Sequence, residues 1–165
     1  MKFDQFEWAM HKTLEQINEG NPSAKGKEIK PERLPPLVLA YIGDAVFNLY
    51  VRNRLLSYEQ NKVRILHSYG AKMVSATFQA YALRQMEKDL TEQEMEIIRK
   101  GRNAKSSVPK SASVADYRSS TGFEALLGYL FLEGKQERIN DIAEQCFIHI
   151  SRKLKNNDDN KGENR

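Results

Sequence analysis

The chain has little of what marks extracellular or zinc-finger proteins. It contains a single cysteine, Cys146, so an internal disulfide is excluded and a reducing compartment is favoured. No CxxC pair is present, and Cys146 with His149 alone makes a poor zinc site. His11 and His67 stand far from these two, and a lone histidine is more often structural than catalytic.

Long apolar runs and nucleotide-binding motifs are also missing. No run approaches the length of a membrane span, and the N-terminal MKFDQFEWAM has no apolar signal-peptide core. We therefore expect a soluble, cytoplasmic protein with no membrane partner. The stretch GRNAKS lacks the spacing of a phosphate-binding glycine loop. Ser119, Ser120 and Thr121 are not set in a nucleophile-elbow motif, so a serine hydrolase is not indicated.

What remains is the composition of an ordinary globular protein. The 165 residues are 40% hydrophobic and 29% charged, which suits one domain with a core of its own. The chain has 26 lysine and arginine residues against 22 acidic ones, a net charge of +4. This weak basicity permits a polyanionic partner without requiring one.

The spacing of apolar residues predicts an all-α helical bundle, because no segment shows strand alternation and no internal repeat is present. The N-terminal helix has Phe3, Phe6 and Met10 at spacings of three and four. A capping box at Thr91–Glu94 starts a short helix. Helices are predicted at 1–19, 35 or 36 to 56, 61–87 with a break near Gly70, 91–101, 113–133 and 135–153.

Composition divides the chain into three parts. Residues 1–33 form the amphipathic helix and a linker with glycine, proline and scattered charge. Residues 34–154 hold the remaining helices and form the main domain. Residues 155–165 are polar, and we expect a disordered tail.

Two isolated acids are the best candidates for chemistry. Asp44 stands in the apolar stretch Pro35–Val51, and Glu124 is the only charge in Phe123–Leu132. Neither acid has a basic residue three or four positions away, so neither has a local salt-bridge partner. A divalent cation bound to both would explain them together, with Asn48, Ser120 or Thr121 in an outer shell. The alternative is that each is a buried acid satisfied by an arginine or a backbone amide.

Glycines stand beside both acids. Gly43 and Gly128 lie inside predicted helices, where glycine costs about 1 kcal/mol relative to alanine. We expect each to permit a close approach of two helices near the acids. The alternative is that either marks a kink.

The stretch Arg99–Lys110 is the candidate for nucleic-acid contact. It holds five basic residues and no acid, and we expect an exposed loop. Phosphate contacts are assigned to Arg102, Lys105 and Lys110, and a sugar or base contact to Asn103. Arg118 joins this RNA-binding set. A solvated loop without a partner is the alternative.

These motifs resemble those of the ribonuclease III catalytic domain. The resemblance rests on IGDAV (42–46), MVS (73–75) and FEALLG (123–128). It is closer still to the bacterial Mini-ribonuclease III branch, through LAYIGDAV (39–46), GRNAKS (101–106) and YRSSTGFEALLGYLFLEG (117–134). The resemblance covers roughly Leu37 to Ile150.

The resemblance implies an all-helical homodimer that hydrolyses double-stranded RNA with magnesium. The products would carry 5′-phosphate and 3′-hydroxyl ends, and the role would be maturation of 23S ribosomal RNA. The family's metal-binding aspartate and glutamate fall on Asp44 and Glu124. Larger relatives have two further acids where this chain has Ala40 and Thr121. That difference implies a water-rich metal site.

The resemblance also leaves other functions open. Larger relatives carry a separate double-stranded-RNA-binding domain, and the short polar stretch after Lys153 is not expected to hold one. Two missing acids make a non-catalytic RNA-binding scaffold the alternative function. A helical protein-interaction module would explain the amphipathic N-terminus but leaves Asp44 and Glu124 unexplained.

Overall fold

The structure is a computed structural model that describes residues 7–8, 10–12, 14–15, 29–105 and 112–162, with side chains up to residue 157. The chain divides into two compact units, Met1–Lys30 and Pro31–Arg165. In the first unit every described residue from 7 to 15 is helical, as the amphipathic pattern predicted. Phe3, Phe6 and Ile17 of that pattern, and most of the predicted linker, lie outside the described residues.

The second unit is built from α-helices and two short 3-10 turns, which confirms the all-α prediction. No strand occurs among its described residues. None of the described helices has the length and apolarity to cross a bilayer. The α-helices are α1 Pro36–Leu55, α2 Val63–Met73, α3 Ala76–Met86, α4 Glu92–Asn103, α5 Val114–Leu132 and α6 Gln136–Gly162, and the 3-10 turns are Pro31–Arg33 and Glu87–Asp89.

The predicted capping box is present at the start of α4. The Thr91 hydroxyl oxygen accepts from the Glu94 backbone N–H at 3.2 Å, and the Thr91 N–H donates to the Glu94 carboxylate at 2.8 Å. Arg138 of α6 donates to the same carboxylate at 2.8 Å. One buried glutamate therefore caps α4 and ties it to α6.

Three predicted helix ends were wrong. The break between α2 and α3 falls at Val74 and Ser75, not near Gly70. Helix α4 continues through Gly101 to Asn103, because this glycine serves packing: a Cβ there would lie 2.8 Å from the Cα of Gly122 in α5. Helix α6 continues to Gly162, past the predicted end near Lys153.

Helix α5 is the centre of the second unit. It packs against α1, α3, α4 and α6, and 11 of its 19 residues are buried. This explains why its apolar residues occupy every face. Phe123 of α5 meets Phe47 of α1 edge to face, with ring centroids 5.1 Å apart. The extensive packing between α1 and α5 fixes the two acid-bearing helices against each other.

Candidate active site

The two acid-bearing helices touch backbone to backbone. A Cβ on Gly43 would lie 1.7 Å from the backbone oxygen of Glu124, and a Cβ on Gly128 would lie 1.9 Å from that of Leu39. Only glycine fits at either position, so the predicted close approach is confirmed. Because Asp44 follows Gly43 directly, the crossing sets Asp44 beside Glu124.

Asp44 is exposed, which corrects the expectation of a carboxylate in apolar surroundings. Its apolar neighbours Leu37, Tyr41 and Leu49 are themselves exposed on the surface of α1. The amide of Asn48 donates to an Asp44 carboxylate oxygen at 2.9 Å and to its carbonyl at 3.0 Å. Among the described residues Asp44 has no ion-pair partner, so nothing there supports the alternative of an acid satisfied by an arginine.

Glu124 is held in the opposite environment. Burial, and after it the negative charge of Asp44, raise the pKa of Glu124 to about 8, while the amide of Gln79 opposes the rise. No cationic side chain in the described part of the chain pairs with Glu124. The carboxylate therefore lacks a protein counter-charge and needs either a proton or an external cation to be stable.

Gln79 is a residue that the sequence analysis missed. Its side chain is fully buried in α3, and neither its Nε2 nor its Oε1 makes a hydrogen bond of normal geometry to a described residue. An unpaired buried amide costs about 1–3 kcal/mol. A signal was available: the residues at −3, +3 and +4 from it, Ala76, Ala82 and Leu83, are apolar. Asp44 and Glu124 had been singled out as charges in apolar helices, a criterion that the neutral Gln79 does not meet.

These groups suit a single hard divalent cation. Two carboxylates supply the charge, Asn48 braces one of them, and the unpaired Gln79 amide lies beside the other. No cluster of three or more acid, histidine or cysteine side chains exists within the described residues. The rest of a six-oxygen shell would then come from water and substrate, as magnesium prefers. Such an ion, when bound, supplies a water of lowered pKa and stabilises charge on a phosphate.

The two hydroxyl groups predicted for an outer shell around the cation donate hydrogen bonds to the backbone instead. Ser120 and Thr121 donate to the backbone carbonyl of Tyr117 at 2.8 and 2.9 Å. Of the predicted outer-shell residues, only Asn48 contacts an acid, through its hydrogen bond to Asp44.

The predicted basic loop is partly helical. Arg99 and Lys100 lie in α4 and pair with Glu96 at 2.7 and 3.8 Å, so they are neither in a loop nor free of an acid. Helix α4 reached this far because Gly101 packs against α5 instead of ending the helix. Lys110 lies outside the described residues.

The other predicted RNA-binding residues are exposed. Arg102 and Asn103 form the last turn of α4, Lys105 follows it, and Arg118 lies on α5. The three cations among them form no ion pair in the part of the chain that is described. The stem of Arg102 lies against Gly122, one turn beyond Arg118. The two arginines therefore share the α4 side of α5, whereas Glu124 contacts α1.

Comparison with known proteins assigns the family. Residues 37–135 match the model of the Ribonuclease III domain, and this span includes both acids. The chain belongs to the ribonuclease III family. It is 47% identical over 123 residues to Mini-ribonuclease 3 of Symbiobacterium thermophilum, covering 74% of this chain and 95% of that protein. It is 38% identical to Mini-ribonuclease 3 of Clostridium tetani, covering 79% and 88%.

A solved structure shares the fold of this chain. A crystal structure of a Fusobacterium nucleatum protein superposes with a TM-score of 0.63 at 30% identity, covering 68% of this chain and 90% of that one. The Mini-ribonuclease 3 relatives and the family match together make this chain an endoribonuclease. The predicted ribonuclease III-like bundle and the predicted enzyme class are both confirmed.

Proposed function

We propose that this protein is a magnesium-dependent endoribonuclease that hydrolyses double-stranded RNA. The observation that carries the proposal is the meeting of Asp44 and Glu124 across the Gly43–Gly128 crossing, inside the ribonuclease III match. Asp44 and Glu124 would hold the cation directly or through water. A water molecule attacks the phosphorus and gives up a proton, the bond between phosphorus and the 3′ oxygen breaks, and that oxygen leaves as a hydroxyl. The products carry 5′-phosphate and 3′-hydroxyl ends.

The exposed cations at the α4–α5 junction are proposed to bind the RNA backbone. Arg102, Lys105 and Arg118 contact phosphates, together with Lys110, and Asn103 contacts a sugar or base edge. Support comes from the exposure of Arg102, Lys105 and Arg118. None of these three forms an ion pair in the described part of the chain. Because A-form RNA hides its base edges in a narrow major groove, recognition rests mainly on shape and phosphates.

A homodimer is proposed with α1 near its interface. Tyr41 is 78% exposed and Leu49 70% exposed, and Leu37 and Val38 add to the same apolar surface. Apolar side chains grouped on one helix mark an interaction surface more often than a solvated one. Each dimer then holds two sites, one for each strand of the duplex.

The proposed biological role is maturation of 23S ribosomal RNA in the cytoplasm. Its support is the likeness to proteins named Mini-ribonuclease 3. A lone cysteine also favours a reducing compartment. The test is to map the ends of 23S ribosomal RNA in cells with and without the protein. Unchanged ends in its absence would remove this role and leave the enzymatic proposal intact.

The enzymatic proposal is tested with a defined RNA duplex labelled at one 5′ end. With magnesium we expect internal cuts in the duplex, none in the single strand, and none after chelation. New 5′ ends should accept a kinase label only after phosphatase treatment, because they carry phosphate. Cutting of single-stranded RNA at an equal rate would contradict the proposed substrate.

One observation favours a second candidate, a non-catalytic RNA-binding scaffold. The described site gathers only two carboxylates, with Ala40 and Thr121 where larger relatives are expected to hold acids. The same assay separates the candidates. Tight duplex binding without cleavage, at any magnesium concentration, would favour the scaffold.

A further inference from the structure

Gln79 is a polar side chain buried in the core of the second unit. It lies in the first turns of α3, which packs against α5, and its side chain is fully buried. Ala82 and Leu83, one turn further along α3, are buried and apolar. Buried amides are nearly always hydrogen-bonded, so an exception calls for a physical explanation.

The Gln79 amide points to the acidic pair. Helix α3 packs against α5, and the side-chain amide of Gln79 lies within reach of a hydrogen bond to the Glu124 carboxylate. Even so, neither Nε2 nor Oε1 makes a hydrogen bond of normal geometry within the described residues. The amide therefore contacts the Glu124 carboxylate loosely, and its hydrogen-bonding capacity is not fully used among the described residues.

Two other polar side chains considered for the site already donate hydrogen bonds to protein groups. The Asn48 amide donates to Asp44, and the Thr121 hydroxyl donates to the carbonyl of Tyr117. Gln79 differs from both because neither its donors nor its acceptor makes a hydrogen bond of normal geometry to a described residue. An amide also adds no charge, so it can orient a carboxylate without increasing the repulsion between Asp44 and Glu124.

We propose that Gln79 is a positioning residue of the cation site. Its amide orients the Glu124 carboxylate and hydrogen-bonds a water bound to the cation that Asp44 and Glu124 hold. Asn48 braces Asp44 in the same way, so each acid has one amide beside it. This inference rests on the proposed function, and it assigns a role to a residue that neither acid motif contains.

The first test replaces the amide by an apolar side chain of similar shape. Gln79→Leu removes every hydrogen bond to a cation-bound water, and Gln79→Met does the same with a flexible chain. Gln85→Leu, exposed on the same helix, is the control. We expect Gln79→Leu to unfold at the wild-type temperature or above it without magnesium. The rise in unfolding temperature on adding magnesium should shrink, and the magnesium concentration for half-maximal cleavage should increase about tenfold or more.

The second test adds a charge at the same position. Gln79→Glu should lower the unfolding temperature without magnesium, because three acids then repel one another. It should enlarge the rise that magnesium produces. An amide with a purely structural role predicts instead that Gln79→Glu is damaged to a similar extent with and without magnesium.

Three outcomes would overturn the assignment of Gln79. Wild-type dependence on magnesium in both Gln79→Leu and Gln79→Met would show that the amide does not act on the cation. Failure of both variants to fold would make the amide part of the core. A Gln79→Glu protein without a larger magnesium effect would deny its proximity to the ion. If the wild-type protein itself shows no magnesium-dependent cleavage or stabilisation, the proposed function fails as well.

Discussion

Asp44 and Glu124 differ in their exposure to solvent. Asp44 is exposed and braced by Asn48, whereas Glu124 is partly buried with a pKa raised to about 8. Because the pKa of Glu124 is raised to about 8, this carboxyl group holds a proton near neutral pH until a cation displaces it. Cation binding should therefore release protons and strengthen as the pH rises towards 8.

This asymmetry predicts how stability depends on pH without magnesium. The folded-state pKa of Glu124 is about 8, above the unfolded value of about 4.3. Between these values the folded state holds a proton that the unfolded chain has released, so the free energy of unfolding falls as the pH rises. The loss is at most about 1.4 kcal/mol per pH unit.

Denaturant unfolding of wild type and Glu124→Gln from pH 5 to 8, in chelator, measures this slope. The Gln variant should lose less stability over that range, because it cannot ionise. Saturating magnesium should flatten the wild-type curve as well. Identical curves for the two proteins in chelator would show that Glu124 has an ordinary pKa.

At the scale of elements, the crossing of α1 and α5 is the decisive feature. It predicts that Gly43→Ala forces the helices apart, because its Cβ would lie 1.7 Å from a backbone oxygen. We expect a loss of about 1–3 kcal/mol or more in the free energy of unfolding. Gly70→Ala is the matched control, since its Cβ would meet nothing closer than 3.8 Å. That variant should be neutral or more stable by up to about 1 kcal/mol.

Chemical denaturation of both glycine variants is the measurement. Equal stability of Gly43→Ala and Gly70→Ala would mean that α1 and α5 do not touch as described. A folded Gly43→Ala protein should also cleave RNA poorly, because the two acids would be displaced from each other.

The helices were largely predictable from sequence, but three of their ends were not. Helix α1 was predicted to within a residue because prolines mark its start, and the Thr91 box located α4. The sequence pattern predicts a break near Gly70 and a helix end at Gly101, yet both glycines lie inside helices. A glycine that ends a helix and one that admits a neighbouring helix look alike until the neighbour is known.

The candidate site shows the same division. Asp44 and Glu124 stood out because charge in an apolar helix is expensive, and their motifs resembled a known family. The exposure of Asp44 could not be predicted, because α1 carries apolar residues on its exposed face as well as its buried one. Gln79 is neutral, so a search for charge passed over it.

The exposed basic residues at the end of α4 are predicted to contribute to RNA affinity. Arg102→Ala with Lys105→Ala should weaken duplex binding and reduce its salt slope by about one for each lost phosphate contact. Arg99→Ala with Lys100→Ala is the control, since both residues pair with Glu96 and should matter less. Binding titrations over a range of salt, in chelator, give both slopes. A larger effect in the control pair would place the RNA elsewhere.

At the scale of the whole molecule, the exposed apolar surface of α1 predicts assembly. Tyr41→Glu with Leu49→Glu should convert a dimer into a monomer, because two charges would be buried in the interface. Tyr69→Glu, 47% exposed on α2, is the control and should leave the dimer intact. Sedimentation velocity measures the state of each. A wild-type protein that is monomeric at working concentration would contradict the proposed homodimer.

If Asp44 and Glu124 form the cation site for RNA cleavage, Asp44→Asn is the decisive variant. The variant keeps the side-chain volume and removes the negative charge that disfavours ionisation of Glu124. Without magnesium its unfolding temperature should equal or slightly exceed that of wild type. With magnesium, cleavage of duplex RNA should collapse while duplex binding largely survives. A folded Asp44→Asn protein that cuts at the wild-type rate would contradict the mechanism, and an unfolded one would make Asp44 a structural acid.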